Sequence, residues 1–362
     1  MLRFLHASDL HMDSPFQSLS SEQAALRRKE LRDLPGLLCD LAREQDCSLI
    51  LLSGDLFDTV GGYPETTEAL LRAFSGSRAH ILIAPGNHDF FTAASPYARM
   101  HWPENVHIFR SETPECIRIP EQNACVWGAA FRSESSPPLL EGFHAPQTGE
   151  YQLMVLHGDP ENPASPYNPI SAPQIASSGL DYLALGHIHS RSGLLHAGNT
   201  AYAWPGCPMG RGFDETGEKG VYVGELDEAG CRLQFHALPG RRYERVEIPA
   251  GEVPLESIES ALSGKETKQD CWRIILTGES DPICLADLQD ALSHRFFSLS
   301  LRDETRPKQS LWAGAGSDTL KGILLRNLRS RCSEAPEEER RILELAARYA
   351  RAALEGREVP EV

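Results

Sequence analysis

Five short segments carry side chains able to ligate metals: Asp9-Leu10-His11, Gly54-Asp55, Gly86-Asn87-His88, His157-Gly158 and Gly186-His187-Ile188-His189. Each follows a run of apolar residues that reads as a buried strand. Asp9/His11 and His187/His189 are spaced i, i+2, and in extended backbone that spacing puts both side chains on one side. Such a pair can clasp one ion from a single strand end. The donors are carboxylate, imidazole and amide without thiolate, a set that suits manganese, iron or zinc better than magnesium or calcium. The seven groups Asp9, His11, Asp55, Asn87, His157, His187 and His189 are too many for one ion. They are enough for two that share a bridging carboxylate. A single His or Gly-Asp at a strand end is most often an ordinary turn, but five in order describe a site.

The elements that must position these groups follow from hydrophobic pattern. Leu2–Ala7, Leu49–Leu52, Ile81–Ala84, Val106–Phe109, Ala124–Trp127, Leu153–Leu156 and Leu183–Leu185 read as strands. Helices are expected from Ser21, a plausible cap, to Glu44 and from Glu65 to Phe74. Alternation of short apolar strands with helical patterns marks a layered α/β fold, with ligands expected at the carboxyl ends of the strands. Residues 158–175 are rich in Pro, Asn and Ser and form a loop between two strands that each lead into a histidine. Near Arg241 the pattern changes to a small βαβαβ module over 243–302. After Pro307 two helices follow, with Leu320, Ile323, Leu324 and Leu328 on one face and Ile342, Leu345, Ala346, Tyr349 and Ala353 on another. Three segments are therefore expected: 1–240, 241–306 and 307–362.

The 362 residues suffice for a large domain and a smaller one, and no apolar run approaches the roughly 18 residues of a membrane span. The polar sequence after Met1-Leu2-Arg3-Phe4-Leu5-His6 gives no signal peptide. Nine cysteines without a CxxC pair read as reduced thiols of a cytoplasmic protein, not as a disulfide frame. A formal net charge of −16 excludes a chain coated in phosphate-binding Lys and Arg. It does not exclude nucleic acid, because two divalent cations bring their own charge.

The ordered set of segments resembles the calcineurin-like metallophosphoesterase superfamily, whose pattern is DxH, GDxxx, GNH(D/E), H and GHxH. Residues Leu2 to His189 carry it at every core position. Gly54-Asp55-Leu56-Phe57-Asp58 and Asp181-Tyr182-Leu183-Ala184-Leu185-Gly186-His187-Ile188-His189 are similar to the SbcD nuclease branch. Asp9-Leu10-His11-Met12-Asp13-Ser14-Pro15-Phe16, the loop Pro205 to Lys219 and Ala353-Leu354-Glu355-Gly356-Arg357-Glu358 look most like its bacterial YhaO subgroup. Protein Ser/Thr phosphatases of the superfamily carry an Arg within the second motif and a Glu after the Asn-His pair. Here Thr59 and Asp89 stand in those places, which speaks against that branch.

The resemblance implies an α/β β-sandwich flanked by helices, with a βαβαβ capping domain at 241–306 and a helical partner-binding tail at 307–362. It implies one metal on Asp9, His11, Asp55 and His189 and another on Asp55, Asn87, His157 and His187, manganese foremost and iron or zinc next. A hydroxide shared by the ions would attack phosphorus in line, with His88 protonating the leaving oxygen or stabilising the transition state. The implied activity is phosphodiester hydrolysis on DNA, as exonuclease or endonuclease in repair. The implied partner is a coiled-coil ATPase of SbcC or YhaN type, and the branch also admits a homodimer. Two rivals stand beside this reading: a small-molecule phosphodiesterase or phosphatase, and a non-catalytic scaffold subunit. Several side chains have two readings each. Asp89 orients the His88 imidazole or caps a turn; Asp58 supports a ligand or serves a turn. Arg211 contacts a phosphate backbone or is solvated, and Tyr202 and Trp204 stack on a base or pack in the core. His6 and His107 read as structural, and the tail either folds back or docks.

Overall fold

Apolar alternation builds two stacked sheets. In β1 (Leu2–Ala7), Leu2 and Phe4 point into one apolar layer and Leu5 and Ala7 into another. The same period of two splits Leu49 and Leu51 from Ile50 and Leu52 in β2. The chain continues from β1 through α1 (Ser21–Glu44), β2 (Leu49–Leu52), α2 (Pro64–Ser75), β3 (His80–Ile83), α3 (Pro96–Arg99) and β4 (Val106–Ile108). Then come β5 (Glu115–Ile119), β6 (Ala124–Gly128), β7 (Tyr151–His157), α4 (Ala172–Ser177), β8 (Tyr182–Gly186), β9 (Leu195–Ala197), β10 (Thr200–Ala203), β11 (Gly220–Asp227) and β12 (Gly230–Ala237). One sheet has the order β12-β11-β1-β2-β3-β4, the other β5-β6-β7-β8-β10-β9. Phe4, Leu49, Leu51 and Leu82 of the first pack on Val126, Leu153, Val155 and Ala184 of the second. Leu31, Leu34 and Leu38 of α1 cover the outer face of the first sheet, and Ile175 of α4 lies in the cluster outside the second. The architecture is an α/β sandwich flanked by helices.

Strands β1, β2 and β3 are mutually parallel, as are β7 and β8. Their carboxyl ends all carry the ligand-type residues. His6, pointing inward from β1, ties the two sheets: its Nδ1 lies 2.8 Å from Tyr182 Oη and its Nε2 3.0 Å from both the Leu185 carbonyl and Ser53 Oγ. Helix α1 is capped by Ser20, not Ser21. The Ser20 hydroxyl accepts from the Gln23 N–H while the Gln23 side chain accepts from the Ser20 N–H, a reciprocal capping box.

The computed structural model describes residues 1–307 and 311–355, and these fall into two units. One comprises Met1–Val246, Glu266–Arg273 and Leu292–Ser300; the other comprises Glu247–Lys265, Ile274–Ala291 and the described chain from Leu301. Strands β13 (Tyr243–Pro249), β14 (Cys271–Thr277) and β16 (Ser298–Asp303) form a three-stranded sheet in the order β13-β14-β16. With α5 (Pro254–Ala261) and α6 (Leu285–Leu292) they make the βαβαβ module. The short strands β15 (Glu279–Ser280) and β17 (Arg306–Pro307) pair in parallel.

Helices α7 (Leu320–Glu334) and α8 (Glu337–Leu354) follow. Their buried face is the expected one only in part: Leu328 packs with buried Leu325 and Ala347, and Cys332 and Leu343 are buried, whereas Leu320, Ile323 and Ile342 are 73%, 55% and 64% exposed. The packing of Leu325 and Ala347 with Ala315, Leu311 and Trp312 sets this register. Gly356, Arg357 and Glu358 of the tail motif lie outside the described residues. Among the described residues no helix is long and apolar enough to cross a membrane.

Candidate metal centre

The turns after β1 and β2 are stitched together by backbone. Asp9 and His11 N–H donate to the Gly54 and Asp55 carbonyls at 3.1 and 2.9 Å, and Asp58 N–H donates to the Met12 carbonyl at 2.9 Å. Four residues of the site sit at positive φ: Asp9 at 54°, His11 at 43°, Asp55 at 51° and His187 at 103°. Non-glycine residues adopt this region rarely, at a cost of order 1–3 kcal/mol each, and such strain collects at functional sites. Glycines allow the close approach. A Cβ on Gly54, itself at φ 84°, would lie 2.4 Å from His157 Nδ1, and one on Gly86 would lie 2.2 Å from Asp55 Oδ1.

These turns gather the donors. His11 Nε2 lies 3.2 Å from His189 Nε2 and 3.6 Å from Asp55 Oδ2, and His189 Nε2 lies 3.9 Å from Asp9 Oδ1. On the other side His157 Nε2 lies 2.9 Å from Asn87 Oδ1 and 3.4 Å from Asp55 Oδ2. One oxygen of Asp55 therefore faces both groups. His187 meets His157 edge-on, with ring centroids 5.2 Å apart, and its backbone N–H donates to both Asp9 oxygens at 3.0 and 3.1 Å. Asp9, His11, Asp55, Asn87 and His157 are all buried.

The hydrogen bonds behind the rings fix which nitrogen is bare. His157 Nδ1 donates to the Ser53 carbonyl at 2.9 Å, which leaves its Nε2 as a lone pair facing two oxygens. His11 Nδ1 donates to Asp58 Oδ1 at 3.1 Å, and His189 Nδ1 to Glu215 Oε1 at 2.8 Å. The Nε2 lone pairs of His11 and His189 then face each other. Lone pairs aimed at one another across about 3 Å, with carboxylate oxygens beside them, repel unless a cation stands among them. The donor set thus fits divalent metal, with the carboxylate–imidazole pairs usual behind metal-bound histidines.

Protonation agrees. Burial holds His157 and His11 below the ordinary imidazole value and takes His187 down to about 4, so these rings are neutral donors. Burial, with Asp89 and Asp9 nearby, pushes Asp55 well above the usual carboxylate range, as expected where carboxylates await positive charge. Burial raises Asp9, but the surrounding His157, His189 and His11 outweigh it and hold the carboxyl low. His189 is the exception: burial works against its charged form but is overcome by Glu215, so that ring is raised, and a proton on its Nε2 competes with a metal for the same place.

His88 stands apart from these donors. Its imidazole is exposed, edge-on to His11 with centroids 4.9 Å apart, while its backbone N–H donates to Asp55 Oδ1 at 3.0 Å. Asp89 does not reach it. The Asp89 carboxylate accepts from Gly86, Leu56 and Phe57 N–H and from Tyr97 Oη at 2.7, 2.6, 3.0 and 2.5 Å, so it clamps the second and third motif loops together. Arg211 is not a free solvated group: it lies between Asp58 and Glu215. Trp204 is buried in the core and Tyr202 packs beside it.

Glu215, Asn168 and Ser53 were not anticipated. Asn168, at φ 48°, donates from Nδ2 to the His157 carbonyl at 2.7 Å and accepts from Leu139 N–H at 2.6 Å, pinning the 158–175 loop under His157. The only cue to Glu215 in the sequence is its place four residues after Arg211.

A helix-flanked sandwich with carboxylate, imidazole and amide donors gathered at its strand ends fits a metal-dependent hydrolase. The chain belongs to the calcineurin-like phosphoesterase family, whose sequence pattern matches residues 2–191, and this family binds two divalent ions. It is similar to the uncharacterized metallophosphoesterase YhaO of Bacillus subtilis (strain 168), 27% identical over 334 residues, which are 86% of this chain and 80% of that one. It is also 27% identical over 220 residues to the DNA double-strand break repair protein Mre11 of Saccharolobus solfataricus, covering 58% of this chain and 55% of the relative. One subunit of the nuclease SbcCD of B. subtilis is 26% identical over 261 residues, 60% of this chain and 64% of its own length.

Proposed function

We propose that this chain is a two-metal phosphodiesterase that hydrolyses DNA. In this reading Asp9, His11, Asp55 and His189 hold one ion and Asp55, Asn87, His157 and His187 the other, with manganese as the metal. Bound there, the ions would supply a nucleophile from water near neutral pH and positive charge for the non-bridging phosphate oxygens. The chain's own residues do the rest. Asp58, Glu215 and the Ser53 carbonyl keep the Nδ1 protons in place and the Nε2 lone pairs inward. His88 gives a proton to the leaving oxygen.

The observation that carries the reading is the placement of His88. It is an exposed imidazole beside a buried set of donors, edge-on to His11 and joined to Asp55 through its backbone N–H. Similarity to proteins named for DNA double-strand break repair and for nuclease activity supports DNA as the substrate. The βαβαβ module is proposed to present DNA to the metals. The tail is proposed to engage a coiled-coil ATPase of SbcC or YhaN type, consistent with a relative named as one subunit of a nuclease and with exposed Leu320, Ile323 and Ile342.

The test compares labelled single- and double-stranded DNA with bis-p-nitrophenyl phosphate, using the purified chain with manganese and His88→Ala as control. Cleavage of DNA that disappears in the variant supports the proposal. Hydrolysis of the small diester without DNA cleavage, unchanged when the ATPase is added, would favour a small-molecule phosphodiesterase. No hydrolysis of either would favour a scaffold.

A further inference from the structure

We infer that Arg211 is the positioning residue for one of the two metal ions, acting through the carboxylates behind His11 and His189 rather than on substrate. Its Nη1 donates to Asp58 Oδ1 at 3.1 Å, the same oxygen that accepts from His11 Nδ1 at 3.1 Å. Its Nη2 donates to Glu215 Oε1 at 2.6 Å, the same oxygen that faces His189 Nδ1 at 2.8 Å, and itself lies 3.3 Å from that Nδ1. One guanidinium therefore holds both carboxylates, and each carboxylate holds one imidazole. The Arg211 side chain is 16% exposed and that of Glu215 3%, so the pairing is largely out of water.

The clamp is itself anchored. Glu215 Oε2 accepts from the Arg211 backbone N–H at 2.7 Å, closing a tight loop. The preceding residue, Gly210, gives its carbonyl to Nη2 of fully buried Arg27 at 2.6 Å, and Arg27 lies against the Phe16 and Tyr243 rings. Helix α1 thus fixes the glycine-rich loop, the loop fixes Arg211, and Arg211 fixes two imidazoles whose Nε2 atoms stand 3.2 Å apart. That separation lets both bind one ion at metal–nitrogen distances near 2.1 Å. A planar fork bonding two carboxylates at once is a task that Lys, a point charge, does not perform. Without it two carboxylates crowd beside Asp9 and Asp55, and both rings lose a fixed orientation. Among the described residues His157, His187 and Asn87 make no bond to Arg211; His157 is held by the Ser53 carbonyl and Asn168, and His187 by its backbone bond to Asp9.

The inference rests on the ligand assignment proposed above, and the experiment separates the two. Manganese binding is measured by calorimetry and elemental analysis on the full chain and on Arg211→Met, Arg211→Lys and Glu215→Gln. Electron paramagnetic resonance then distinguishes coupled ion pairs from single ions. The wild type is expected to bind two ions. Arg211→Met should keep one at wild-type affinity and bind the other about 10–100-fold more weakly, the usual effect of losing a partner behind a metal ligand. The coupled signal should give way to that of an isolated ion. Glu215→Gln should do the same without stacking on Arg211→Met, and Arg211→Lys should fall between. His187→Ala should weaken the ion that Arg211→Met spares, so the double variant should hold neither tightly. Two ions of unchanged affinity in Arg211→Met, or equal weakening of both, would overturn the inference. A wild type that binds fewer than two ions would overturn the ligand assignment and the inference with it. If Arg211→Met does not fold, Glu215→Gln alone carries the comparison.

Discussion

Asp89 follows His88 in sequence, yet its contacts make it a structural clamp, and Asp89→Asn separates the two roles. The carboxylate is fully buried and accepts four hydrogen bonds, three from backbone N–H groups of two different loops and one from Tyr97 Oη. Asn has one acceptor oxygen, and its NH2 must confront either Gly86 N–H or the trio of Leu56, Phe57 and Tyr97 donors. Hydrogen bonds to a charged group contribute about 1.5–3 kcal/mol each, and a buried donor left without a partner costs about 1–3 kcal/mol. Relaxation and non-additivity keep the total well below four such bonds, so the expected loss is about 2–4 kcal/mol. At about 2–4 °C per kcal/mol, that lowers the melting temperature by about 4–16 °C. The assay is thermal and urea unfolding of the metal-free protein, so that altered metal affinity does not enter. Tyr97→Phe should cost about 1 kcal/mol, and the double variant should fall short of the sum because the two share a bond. An Asp89→Asn protein with wild-type unfolding and turnover reduced as in His88→Ala would refute this reasoning and return Asp89 to the imidazole.

Three further outcomes are expected. His88→Ala should retain both metals by elemental analysis while turnover falls about 10²–10⁴-fold; loss of the metals would make His88 a ligand. Asp55→Ala should weaken both ions together, since a single Asp55 oxygen faces His11 and His157 at 3.6 and 3.4 Å, and full occupancy would remove its bridging role. Burial pushes the thiols of Cys39 and Cys271 up to about 11 and those of Cys47, Cys116, Cys207 and Cys231 to about 12. At pH 8 these groups are protonated and unreactive. A disulfide reagent should then titrate exposed Cys284 rapidly, and a fast phase that survives Cys284→Ser would contradict this.

What was legible in the sequence tracks how local the cause is. The period of two in Leu2–Ala7 and Leu49–Leu52 announces buried strands, because both faces are covered. Of the strands that escaped notice, β5, β9 and β12 lie at sheet edges, where one neighbour is missing, while β10 lies between β8 and β9. β12 alternates exposed and half-buried residues without one that is fully buried, so its apolar signal is weak. The motif residues were visible as chemistry, but nothing in their spacing says that β7 and β8 bring His157 and His187 to the rim formed by β1, β2 and β3. That juxtaposition depends on the stacking of two sheets and came from family resemblance. Arg211 and Glu215 were harder still. A charged pair in a glycine-rich loop looks solvated until Arg27, far away on α1, is seen to hold the loop down through Gly210.

The same network bears on why a chain of net charge −16 should act on an anion. Around the rim stand the carboxylates of Asp9, Asp55, Asp58, Asp89 and Glu215, balanced within the chain by Arg211. Carboxylates still outnumber cationic side chains there, and that excess would repel a phosphodiester over a distance near the Debye length of about 10 Å at 0.1 M salt. Two divalent ions offset it. Affinity for the proposed substrate is then conditional on metal in a way that a Lys-rich surface would not be, and the acidic balance is compatible with the chemistry. The consequence is measurable without turnover: DNA bound to His88→Ala should dissociate when the metals are chelated. Binding that persists after chelation would place the DNA contact elsewhere, on cationic groups remote from the rim.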